Sequence, residues 1–197
     1  RFSWRGCHVD TARRFMPLTW LYKLIDELAR HKMNVLHLHL TDDQGWRLEI
    51  KQYPRLTEVG SQREDSQTHD DPDKFEGKPH GGFYTQAQMR ELVAYAAARH
   101  VTVVPEIEMP GHSQAAIASY PELGNTGEQL KVSKWWGVHH NILNVRDSTI
   151  QFYKNVLDEV IQIFPSKFIH VGGDEAPKKQ WKESAEAQER MRELGLK

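Results

Sequence analysis

His8-Val9-Asp10-Thr11-Ala12-Arg13 closes the first apolar, β-prone stretch of the chain and contains no glycine. A doubly wound sheet usually announces its ligand with a glycine-rich turn directly after strand one, so this hexapeptide argues against that fold. The surroundings still spell an α/β chain. Strand-like sequence over 2–9 precedes a helix at about 18–33, where Leu18, Leu21, Tyr22, Ile25, Leu28 and Ala29 share one face. Val35 to Leu40 is a second strand. Thr85-Gln86-Ala87-Gln88 fits a capping box, and Met89, Leu92, Val93, Ala96 and Ala97 form the stripe behind it. Strand three covers Val101 to Met109. A helix after Asp147 carries Ile150, Tyr153, Leu157, Val160, Ile161 and Phe164. Phe168 to Val171 is strand four, and a polar helix runs from Pro177 towards Leu194. Strands that alternate with helices pair in parallel through right-handed crossovers.

The connections choose between the parallel folds. Those leaving strands two and three are long, Gly45 to Gly82 and Pro110 to Arg146, whereas those returning from helices are short. Long loops where strands end mark the functional face of a TIM (β/α)8 barrel. Such a barrel needs about 250 residues, and the 197 here supply four βα units. Residues 1–197 therefore read as the N-terminal half of a barrel, a partial domain short of strands five to eight, and the abrupt start at Arg1-Phe2-Ser3-Trp4 fits a cut. With 26 basic and 27 acidic residues, the net charge of −1 gives no reason to expect nucleic acid or an anionic membrane as partner. No run of 18 apolar residues is present to cross a bilayer. Cys7 stands alone, excluding an internal disulfide or a cysteine metal cluster, and reads as a small apolar residue on a strand.

Strand pleat sorts the polar residues. Leu36, Leu38 and Leu40 take one face of strand two, leaving His37, His39 and Thr41 on the other. Glu106 and Glu108 oppose Val103 and Ile107 in strand three, and His170 opposes Ile169 and Val171 in strand four. A barrel gathers these polar residues along its axis, below the site they support. Two histidines on one face, His37 and His39, also suit a metal-dependent hydrolase, although they sit low in the barrel. At the mouth, His170-Val171-Gly172-Gly173-Asp174-Glu175-Ala176-Pro177 presents adjacent carboxylates after a strand, a turn-permitting glycine pair and a helix-starting proline. Two neighbouring carboxyls resist joint ionisation, and a raised carboxyl pKa is what a general acid near neutrality needs. The rival role is an Asp that caps a helix beside a solvated Glu.

Asn34 to Arg47, which reads NVLHLHLTDDQGWR, resembles the second-strand signature of family-20 glycoside hydrolases, the β-N-acetylhexosaminidases. Arg5-Gly6 with Asp10 to Phe15 is similar to their first strand, Glu106 to His112 to their third, and His170 to Glu175 to their fourth. The resemblance spans essentially the whole chain. It implies hydrolysis of terminal non-reducing N-acetyl-β-D-hexosamine residues with retention, in which the substrate's own 2-acetamido oxygen is the nucleophile. By position Glu175 is the acid that protonates the leaving oxygen and then the base for water. Asp174 orients the acetamido group, Asp42 and His112 relay protons to Glu175, and Arg13 grips sugar hydroxyls, with Arg5 as its rival.

The same resemblance implies no metal and no other cofactor. Its partners are glycans ending in N-acetylglucosamine or N-acetylgalactosamine, together with the C-terminal half of the same barrel, and its location is secreted, periplasmic or lysosomal. Glu108 stands where the family more often has Asp, a longer side chain in a tight interior. The segment 62–80 reads as a solvated loop, His139-His140 as solvated, and Trp135-Trp136 as either sugar-facing or packed beneath their loop. Two further readings stay open: a metal-dependent barrel hydrolase using His37 and His39, and a non-catalytic carbohydrate-binding half-barrel retaining Arg13 and Asp174.

Overall fold

The computed structural model describes residues 2–196. In chain order the elements are β1 (Gly6–Asp10), α1 (Leu18–Arg30), β2 (Val35–His39), β3 (Thr41–Asp42), β4 (Gly45–Trp46), α2 (Arg55–Glu58) and β5 (Gln62–Arg63). They continue with β6 (His80–Gly81), α3 (Gln86–Ala97), β7 (Thr102–Glu106), α4 (Gln114–Ser119), α5 (Asp147–Ile163), α6 (Lys179–Glu183) and α7 (Ala185–Glu193). β1, β2 and β7 form one parallel sheet in that order, with His8 beside His37 and His39 beside Glu106. The fourth strand appears as a single parallel bridge from His170 to Glu106. Its backbone nonetheless follows β7: the His170 N–H donates to Pro105 O (3.0 Å), and Ile107 and Met109 donate to His170 O and Val171 O. With no neighbour on its outer side, this segment leaves Phe168 and Val171 exposed.

The sheet curls. Outer strands of a flat four-stranded sheet stand about 14 Å apart, yet Trp4, just before β1, meets Phe168 edge-on with ring centroids 5.6 Å apart. Among the described residues the barrel does not close. Helices cover the convex side, where Leu36, Leu38 and Leu40 are fully buried in one cluster with Leu21 and Ile25 of α1 and Met89, Leu92 and Ala96 of α3. The capping box forms as its residues require: the Gln88 N–H donates to Thr85 Oγ1 (3.2 Å), and the Thr85 N–H to Gln88 Oε1 (2.8 Å).

Three expectations need correction. The first strand begins at Gly6, because Phe2 and Trp4 lie outside the sheet and are exposed. The polar helix divides at Ser184, whose hydroxyl turns from helix interior to cap and accepts from the Ala187 N–H (3.2 Å). Segment 62–80 is not simply solvated: it pairs β5 with β6 and buries Arg63, Ser66 and Gln67. Cys7 is half-buried on β1.

Candidate active site

The polar column appears where the pleat requires it. Because Cys7 and Val9 pack against the core, His8 and Asp10 face the interior, and the register sets β2 and β7 alongside. Glu106 is the hub: its carboxylate lies 2.7 Å from His37 Nε2, 2.8 Å from His39 Nδ1 and 2.9 Å from His170 Nδ1, with His8 Nε2 at 3.9 Å. One carboxylate facing so many imidazoles is held well below the usual range: burial resists its charge, and the His37 and His39 rings set against it outweigh burial.

Above this layer the chain turns through β3 and β4, placing Asp42 and Asp43 fully out of solvent. Asp42 Oδ2 accepts from Arg13 Nη2 (2.9 Å) and lies 2.7 Å from His39 Nε2, while its Oδ1 faces His112 Nδ1 at 3.3 Å. Burial opposes ionisation of Asp42, but His112, His39 and Arg13 together hold its carboxyl well below the ordinary value. Asp43 Oδ2 lies 3.1 Å from the same His112 nitrogen, and Asp43 Oδ1 accepts from the Gln114 N–H (2.9 Å). The other His112 nitrogen, Nε2, is 3.3 Å from Glu175 Oε2. Hydrogen bonds to Asp42 and then Asp43 push His112 up to about 11 despite burial. Donor atoms of His112, Asp174 and Glu175 all lie within 4.8 Å of one another.

Asp42, His112, Asp174 and Glu175 thus converge, joined by Arg13, which Asp10 braces from behind (Nη1 to Oδ2, 2.9 Å). Arg5 does not join them; its guanidinium donates to the carbonyls of Phe2 and Lys32 at the opposite end of β1. His112 and Glu175 both adopt left-handed backbone, φ +47° and +45°. Such non-glycine residues cost of order 1–3 kcal/mol each and cluster at functional sites.

Asp43, His8 and the hub role of Glu106 escaped the sequence reading. Asp43 was legible only as the second acid of Asp42-Asp43, and the β1 face only through the alternation that puts His8 with Asp10. Glu108 answers its own question of fit. It is buried against Gly172, where a Cβ would overlap the Glu108 carboxyl, and its Oε2 has no hydrogen-bond partner. Burial first, and neighbouring Glu106 second, raise its carboxyl pKa to about 8.

His8, His37 and Glu106 also bring donor atoms within 4.8 Å of one another, as a cation would need. His39, Glu106 and Glu108 form a second such group. Both nitrogens of His39 face carboxylates, and although burial disfavours its charge, the bonds to Asp42 and Glu106 lift it to about 10. His139 is not simply solvated either: its Nε2 lies 3.2 Å from Ser133 Oγ.

The profile for the catalytic domain of glycosyl hydrolase family 20 matches residues 2–197. The chain belongs to glycoside hydrolase family 20. A beta-hexosaminidase of Porphyromonas gingivalis is 46% identical over 197 residues, all of this chain and 24% of the relative. A crystal structure of a beta-N-acetylhexosaminidase superposes with a TM-score of 0.94 at 42% identity, covering 100% of this chain and 41% of that one. A GH20 exo beta-N-acetylglucosaminidase of Vibrio harveyi in complex with N-acetylglucosamine gives 0.86 at 38% identity, with 100% and 31% covered. The chain therefore spans about a quarter of the length of the first of these family-20 relatives.

Proposed function

We propose that this chain supplies the acid–base half of a family-20 site that removes terminal non-reducing N-acetyl-β-D-hexosamine from glycans. It would do so with net retention, together with the second half of the same barrel. The observation that carries the reading is the unbroken chain of contacts from Arg13 through Asp42 and His112 to Glu175, each at or below 3.3 Å. Glu175 gives its proton to the departing glycosidic oxygen as the bond to the anomeric carbon breaks. The substrate's acetamido oxygen attacks that carbon from the other face, forming an oxazolinium ring. Asp174 holds the acetamido N–H and balances the positive charge that develops. In the second step Glu175 takes a proton from the water that opens the ring, which restores the acid.

The Asp42–His112 pair suits this cycle. Two buried acids keep the His112 imidazole charged, and that ring lies 3.3 Å from the Glu175 carboxyl that hands over and regains the proton. The Arg13 fork, braced by Asp10 and Asp42, stays rigid for two sugar hydroxyls. Vibrio harveyi's relative binding N-acetylglucosamine supports the substrate class.

A thiazoline analogue of the cyclic intermediate tests the reading. In the protein that carries the complete barrel it should inhibit competitively and far more tightly than the N-acetylhexosamine product. Hydrolysis that this analogue leaves untouched would assign the nucleophile elsewhere.

A further inference from the structure

We infer that His170 is a positioning residue for the carboxylate turn: its Nδ1 holds the Gly172 amide and so sets where Asp174 and Glu175 stand. The inference rests on the hexosaminidase reading and adds a residue that reaches the reaction through the backbone.

The turn needs such a hold. Gly172, Gly173 and Glu175 take left-handed backbone, φ +63°, +95° and +45°, and glycine leaves that region as easily as it enters it. The last bond from the neighbouring segment runs from the Met109 N–H to Val171 O (3.1 Å). Beyond it, among the described residues, the backbone of Gly173 to Ala176 makes no hydrogen bond. Packing confines the turn without orienting it. Gly172 lies against the Glu108 carboxyl, and a Cβ on Gly111 would stand 3.2 Å from both the Asp174 carbonyl oxygen and Ala176 Cα.

One hydrogen bond enters at the head of the turn: the Gly172 N–H donates to His170 Nδ1 (3.0 Å). A side chain that accepts from the amide two residues on is the device with which Asn and Asp build local turns. Because an N–H already points at Nδ1, the ring carries its own proton on Nε2. Glu106 Oε1 stands 2.9 Å from the same nitrogen as a close contact, while the amide holds the lone pair. The ring is itself well placed. Its backbone N–H donates to Pro105 O and its carbonyl accepts from the Ile107 N–H, both at 3.0 Å, and the His37 ring lies 4.8 Å away between centroids. His170 therefore passes the position of the sheet to an amide two residues before Asp174.

The test uses the protein with its complete barrel and a β-linked N-acetylglucosamine disaccharide, whose poor leaving group calls on both carboxylates. In His170→Asn, the amide oxygen falls where Nδ1 was. In His170→Gln, the longer side chain reaches the Nε2 position and leaves the Gly172 N–H without its acceptor. Both remove the ring and its contact with His37, so a space-filling role predicts the same loss for both. His170→Gln should lower kcat about 100-fold, the cost of misplacing reacting groups by about 1 Å. Its KM should stay within about threefold, because Arg13 grips the sugar from a different segment. His170→Asn should recover at least about tenfold of the lost kcat. Equal kcat losses in the two variants, or a loss confined to KM, would overturn the inference. Imidazole nitrogen NMR on the unaltered protein decides it even where a variant fails to fold: Nδ1 of His170 should be the bare nitrogen, and a proton resident there would overturn the inference. An unaltered protein that leaves the disaccharide intact would overturn the functional reading, while the NMR result still stands for or against the hold on Gly172.

Discussion

Gly172→Ala is the substitution whose cost the structure specifies most closely. Gly172 has φ +63°, and a Cβ built there overlaps the Glu108 carboxyl, which is 3% exposed and would have to shift. Two penalties add. Left-handed backbone costs an L-residue about 1–2 kcal/mol, and overfilling a packed interior costs about 1–3 kcal/mol. The sum is about 2–5 kcal/mol. A barrel of about 250 residues loses about 2–4 °C in Tm per kcal/mol, so the variant should melt roughly 4–20 °C lower. Glu108→Asp removes one methylene and relieves the overlap without touching the backbone, so the double variant should recover the packing share and keep the strain. Gly173→Ala is the control: φ is +95° there, but the nearest neighbour, the Met109 carbonyl oxygen, is 3.9 Å away, leaving backbone strain only. Scanning calorimetry on the complete barrel measures all four proteins. A Gly172→Ala variant that melts with its parent, or a double variant with no recovery, would refute the packing argument.

On the proposed function, Glu175→Gln in the protein with its complete barrel should slow substrates with poor leaving groups by orders of magnitude more than activated aryl glycosides, because only the former need a proton on the departing oxygen; steady-state rates on a leaving-group series check this, and equal losses speak against Glu175 as the acid. The charged state of His112 makes a pH prediction. Its value rises from 6.5 to about 11 through its bonds to Asp42 and Asp43, so the folded protein keeps a proton that the unfolded chain has released. Its stabilisation is full below pH 6.5 and erodes as pH climbs towards 11. His39, raised to about 10, acts in the same direction. Imidazole NMR at pH 8.5 should find both rings protonated, and neutral rings there would remove this account of the relay.

Alternating periods were enough to expose the architecture. Leucines at 36, 38 and 40, the stripe from Met89 to Ala97 and the glycine-free end of strand one all report local backbone geometry, which a chain writes in its own order. The carboxylate pair at the mouth was legible for the same reason: Asp174 and Glu175 are neighbours in sequence. Contacts between residues far apart along the chain leave no such local trace. That Asp43 shares His112 with Asp42, that Glu106 gathers His37, His39 and His170, and that Gly172 makes room for Glu108 depend on how far the sheet curls and on which strands it sets side by side. Periodicity fixes which way a side chain points, whereas the burial and charge that set its chemistry belong to the assembled fold.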